Sequence, residues 1–95
     1  VTGIEPNASI HHIVAYPNPV SNEELVIKGI LPTDFGKSMK GLLYDINGKV
    51  ASRWNTTGEA VIYISLPETA SNGWYLLELQ SETLIYRVEL MLMRH

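Results

Sequence analysis

Residues able to do chemistry are few in this sequence, and their spacing argues against most of that chemistry. Asp34-Phe35-Gly36 spells the magnesium-binding triplet of protein kinases, yet that reaction also needs a phosphate loop, a catalytic-loop aspartate and a far longer domain. His11 and His12 are adjacent, which on a strand sends them to opposite faces, and His95 lies at the other end of the chain. No metal site is expected from them. The serines have no G-x-S-x-G elbow and no histidine and carboxylate placed to activate them. Cysteine is absent, which removes disulfides, thiolate zinc sites and a cysteine nucleophile together. Asn7-Ala8-Ser9 and Asn55-Thr56-Thr57 match the glycosylation acceptor pattern, a match with meaning only in a secreted eukaryotic protein. Trp54 and Trp74 could stack on sugar rings from an exposed sheet face, or could be half-buried strand aromatics. The expectation is a chain that is not an enzyme and has no catalytic residue, cofactor or metal.

Bulk properties narrow the class further. The 95 residues are 45% hydrophobic and 18% charged, enough for one modest core and too apolar for wholesale disorder. Net charge is −3 with acids and bases interspersed, so no basic stripe tracks a phosphate backbone and no nucleic-acid partner is expected. The longest apolar runs are about six residues, against the ~18 of a membrane span. The first residues lack the charged and apolar regions of a signal peptide. Because the chain opens at Val1 and its first methionine is Met39, the sequence reads as an excised or processed piece of a longer protein.

The elements that must position these residues are strands. Residues 1–9, "VTGIEPNAS", are polar and turn-forming and read as a linker stub, leaving residues 10–95 as the folded domain. Short β-type runs then alternate with turn signals near 10–16, 24–29, 39–46, 49–55, 60–66, 74–80 and 84–93. About seven short strands in this length predict an all-β antiparallel sandwich. Period-two alternation gives the inward rows: Tyr86, Val88, Leu90 and Leu92; Tyr75, Leu77 and Leu79; Ile62, Ile64 and Leu66; Leu25 and Ile27. Arg87, Glu89, Glu78 and Gln80 fall on the opposite faces.

Corners are written as clearly as strands. Asn47-Gly48 is a hairpin signal, since both residues tolerate positive φ. A three-residue loop with Gly48 in a bulge sets Val50 opposite Tyr44, whereas a two-residue loop sets it opposite Asp45; the first keeps apolar residues together and is preferred. Ser71-Asn72-Gly73 makes a second tight corner. In Tyr16-Pro17-Asn18-Pro19 both prolines fix φ and withhold a ladder donor, so one strand ends there before the next begins.

Taken in order, "VAYPNPVSNEELVIKG", "GLLYDINGKV", "ISLPETASNGWYLLELQS" and "YRVELMLMRH" resemble the C-terminal sorting domain of type IX secretion cargo, a family of the Bacteroidota. The blocks of the family pattern fall on Tyr16, Pro17, Asn18 and Pro19, on Tyr44 and Asp45 with Gly48 and Lys49, on Gly73 with Tyr75, and on Arg87 through Arg94. This chain departs from the pattern in a long linker containing Pro32 and in Glu89 and two methionines in the last strand.

The resemblance implies an immunoglobulin-like sandwich of about seven strands that acts as an address label at the end of a larger exported cargo. The partners it implies are the cargo domain upstream, the type IX translocon and a sortase-like cysteine peptidase. That peptidase removes the domain in many members and joins the cargo to lipopolysaccharide. The implied location is the periplasm in transit, then the cell surface or the medium. Within that frame Arg87, Glu89 and Arg94 are the expected receptor-recognition residues, and Pro17, Pro19, Gly48 and Gly73 shape the scaffold. The alternative is an immunoglobulin-like accessory, spacer or carbohydrate-binding module of a cell-surface protein or glycoside hydrolase, since a shared fold does not decide function.

Overall fold

Apolar residues at every second position give the strands one buried face, and two sheets close over those faces. The computed structural model describes residues 9–18 and 24–94. Within them lie eight strands: β1 (Ser9–His12), β2 (Val14–Tyr16), β3 (Glu24–Lys28), β4 (Ser38–Asp45), β5 (Val50–Thr57), β6 (Val61–Ser65), β7 (Gly73–Gln80) and β8 (Leu84–Leu92). One sheet has the order β1-β8-β7-β4-β5 and the other β2-β3-β6. The chain is an all-β sandwich. Among the described residues no helix is long and apolar enough to cross a membrane.

The core takes Leu25 and Ile27 from β3 and Ile62 and Ile64 from β6. These face Met39 and Leu43 of β4, Leu77 and Leu79 of β7, and Tyr86, Leu90 and Leu92 of β8. The inward rows read from the sequence are therefore the rows that are buried, apart from Val88, which is partly buried against the core. Gly41 of β4 also points inward, and the indole of Trp54 lies over it so closely that a Cβ there would meet ring atoms at 2.2–2.6 Å.

Two details differ from the sequence expectation. The run 10–16, expected as one strand, serves both sheets. Its first half pairs parallel with β8, from Ser9 opposite Leu84 to His12 opposite Arg87. Its second half pairs antiparallel with β3. Ile13 is the pivot: it is buried, and its N–H still donates to the Arg87 carbonyl at 3.1 Å. Alternation alone does not show the switch, because Ile13 and Ala15 point into the same core from either sheet. Among the described residues the sandwich therefore has eight strands, with one parallel pair among antiparallel ones.

The hairpin between β4 and β5 has the expected register, with Tyr44 opposite Val50. Gly48 sits at φ +80°, a conformation an L side chain resists. One oxygen of Asp45 accepts the backbone N–H groups of Asn47 at 2.9 Å and Lys49 at 3.0 Å. Asp45 is thus the local reason the turn closes here.

Residues 1–8, 19–23 and 95 lie outside the described residues, and with them most of the linker, the acceptor Asn7 and one proline of the Tyr16–Pro19 corner.

Candidate functional site on the last strand

Strand β8 carries two of the three expected recognition residues, because alternation gives it an outward row of Ile85, Arg87, Glu89 and Met91. Register with its neighbours lines up His12, Arg87, Glu78, Leu42 and Arg53 across all five strands of the large sheet. Glu78 is the unusual member, being only 5% exposed although it lies on the outer face. Its carboxylate is held by Arg87, whose Nε approaches Oε2 at 2.7 Å, and by the Gln80 amide, which donates to Oε1 at 3.1 Å. Beside this pair the next row holds Glu89, Leu76 and Tyr44, and Trp74, 51% exposed, stands at the end.

Together Tyr44, Trp74, Leu76, Glu78, Arg87 and Glu89 line an open groove of about 600 Å³. Burial, with the Glu78 charge adding to it, raises the pKa of the Tyr44 hydroxyl above its ordinary value. The groove offers an apolar floor with one paired charge and one free carboxylate, Glu89. That composition could hold and orient a bound group. It has no nucleophile with a base beside it.

The end of β8 is built differently. Asn72, in the corner before β7, donates its side-chain amide to the Arg94 carbonyl at 3.0 Å and accepts the Arg94 N–H at 2.8 Å. The Arg94 guanidinium turns back over the same corner and donates to the carbonyls of Pro67, Glu68 and Ala70 at 2.8–3.0 Å. Tyr75 completes the corner by donating its hydroxyl to the Ser71 carbonyl at 2.6 Å. Arg94 is therefore not a loose surface charge. Replacing it removes three charge-assisted bonds, so the change costs structure as well as a charge.

Asn18 does for one edge of β8 what Asn72 does for the other. Its amide donates to the Glu89 carbonyl at 3.2 Å and accepts the Met91 N–H at 3.0 Å. The Tyr16-Pro17 peptide before it is cis. Tyr16 itself points to the outer face of the small sheet, with the Lys28 ammonium 5.5 Å from its ring centroid. The corner from Tyr16 thus serves the last strand through one side chain, Asn18. Gly73, at φ +144°, opens β7 directly after Asn72.

The remaining motifs find architectural places. Asp34, 2% exposed, accepts a hydrogen bond from the Tyr86 hydroxyl, which in turn accepts the Leu31 N–H at 3.2 Å. Burial, and then the hydrogen bond to Asp34, push the Tyr86 hydroxyl up to about 12. His11 packs edge-on to the Tyr86 ring at 5.5 Å, while His12 is exposed on the other face. Among the described residues no three His, Asp or Glu side chains converge on one point. Trp54 covers Gly41 on the inner face and Trp74 stands on the outer one, so the two cannot form one sugar-stacking platform.

Sequence reasoning missed Glu78 and Asn72. The signal for Glu78 was present: the tight turn at Ser81, whose N–H bonds the Leu84 carbonyl, sets Gln80 opposite Ile85 and so Glu78 opposite Arg87. Comparison of the chain with protein-family models, curated proteins and solved structures finds no match in any of the three.

Proposed function

We propose that this chain is a non-catalytic sorting domain of the type IX secretion kind, which directs an attached cargo across the outer membrane. The observation that carries the reading is the ordered set of four sequence blocks, "YPNP", "YDINGK", "SNGWY" and "YRVELMLMR". Supporting it is what those blocks do together: Asn18 bonds one edge of β8, Asn72 bonds its end, and Tyr44 stands in the groove beside Arg87. Residues far apart in sequence thus serve the presentation of a single strand. An address label needs such a strand held in one shape and legible from outside.

On this reading a receptor reads the outer face of β8 at Arg87 and Glu89, and Arg94 holds the shape of the end. The domain is a substrate of the export machinery, and any cleavage is the work of a sortase-like peptidase acting on it.

The test is a reporter carrying a periplasmic signal peptide, fused to residues 1–95 and expressed in a bacterium with a type IX system. Reporter at the surface or in the medium, lost in a translocon-deficient strain, is the expected result. Folded reporter left in the periplasm of both strains overturns the reading. It would favour the second one, a ligand-binding accessory module, for which the groove around Trp74 and Tyr44 is the specific observation.

A further inference from the structure

The edge of β8 carries a second message, in its hydrogen bonds. β1 runs parallel to β8 as far as His12 opposite Arg87, and Ile13 gives one more rung through its N–H to the Arg87 carbonyl. In a parallel ladder the next residue to face β8 would be Ala15. It would donate to the Glu89 carbonyl and accept from the Met91 N–H. Ala15 instead lies in the other sheet, opposite Ile27. The two groups it leaves are the two that the Asn18 amide takes. A side-chain amide has the donor and acceptor of a peptide group, so Asn18 stands in for the missing rung.

We propose that Asn18 is an edge latch: it closes the last strand against pairing with a second copy of this chain. Among the described residues no strand pairs with this edge beyond Arg87. An open strand edge is a template for another chain.

The second copy is the fitting occupant because β8 is complementary to itself. Antiparallel pairing about a two-fold axis at Met91 sets Glu89 of one copy opposite Met93 of the other, so no two carboxylates face each other and the part of the edge up to Arg87 is left to β1. It also joins two large sheets along the stretch of β8 beyond β1, each keeping its inward row of Val88, Leu90 and Leu92. Every such pairing needs the Glu89 carbonyl and the Met91 N–H that Asn18 occupies. The opposite edge of the sheet, β5, is protected in another way, by polar side chains along it, Arg53 and Asn55 among them.

The experiment is sedimentation velocity, with amide exchange by NMR, on the whole chain and on Asn18→Ala and Asn18→Asp. The unaltered chain is expected to stay monomeric up to millimolar concentration, with a protected Met91 amide. In Asn18→Ala the Met91 amide should exchange roughly tenfold faster when dilute, the loss of about one hydrogen bond. As concentration rises, that variant should dimerise, gain protection at Glu89 and regain it at Met91.

Asn18→Asp can still accept from Met91 but cannot donate to Glu89, so its Met91 amide should stay protected while the edge opens in part. It serves as the reporter if the alanine variant does not fold. A folded Asn18→Ala that exchanges Met91 quickly yet remains monomeric at millimolar concentration would overturn the latch. So would unchanged Met91 protection, or an unaltered chain that already dimerises through this edge.

Discussion

Among the described residues two carboxylates are buried, on opposite sides of the large sheet and to different ends. Asp34 sits on the inner side, sealed under the sandwich, with the Tyr86 hydroxyl as its donor. Glu78 sits on the outer side, at the floor of an open groove, with Arg87 as its partner. The inner pair fixes how the segment around the short 3-10 turn Pro32–Asp34 meets β8. The outer pair fixes the direction of a charge that a partner can reach, since the Arg87 side chain is still 37% exposed. A buried acid is thus weak evidence of a site until one asks what its donor faces. Adjacent residues of one strand, Tyr86 and Arg87, give the two answers.

The contrast can be broken most forcefully from the inside. Tyr86→Phe leaves the Asp34 carboxylate and the Leu31 N–H without their shared hydroxyl, at an expected cost of about 2–3 kcal/mol in denaturant unfolding. It also changes the alkaline limb. With the folded pKa near 12 against an ordinary 10, the folded state holds the tyrosine proton more tightly than the unfolded one. That contribution is fully present below about pH 10 and is lost as pH rises through about 12. The phenylalanine variant should lack this part of the decline, read as stability against pH from 8 to about 12.

Arg94→Ala comes next, at about 1–2 kcal/mol, because its three carbonyl bonds are only partly shielded from water. The measurement is the unfolding midpoint, together with loss of amide protection at Ala70, whose N–H closes the Pro67–Ala70 turn. Arg87→Ala should cost about 1 kcal/mol, since Glu78 stays buried without its cation but the arginine side was half in water. Arg87→Gln should cost less, because a glutamine can still donate to Glu78. If Arg87→Ala proves as damaging as Tyr86→Phe, the outer pair is architecture too and the contrast fails.

How much of this was legible follows from the physics of each feature. Strand positions and inward rows were readable because alternation is local, and the hairpin at Gly48 because its turn residues specify their own φ. The groove was half readable: Arg87 and Glu89 were visible as outward charges, whereas the burial of Glu78 depends on side chains from two other strands. The anchoring of Arg94 was not readable, because the carbonyls it binds lie 24–27 residues away. The bonding of Asn18 to β8 was hidden for the same reason, since its partners are more than 70 residues distant. A side chain that substitutes for backbone leaves no periodic trace.

The sharpest test of the central claim is the surface fraction of a reporter fused to residues 1–95, with and without the double substitution Arg87→Gln and Glu89→Gln, in a strain with a working type IX translocon. Those changes keep a donor to Glu78 and leave the Arg94 corner untouched, so the domain should remain folded. The account predicts a surface reporter for the unaltered domain. It also predicts a folded but periplasmic reporter for the double variant, at the level of a translocon-deficient strain. Equal export of both would mean that the outer face of β8 is not what the machinery reads.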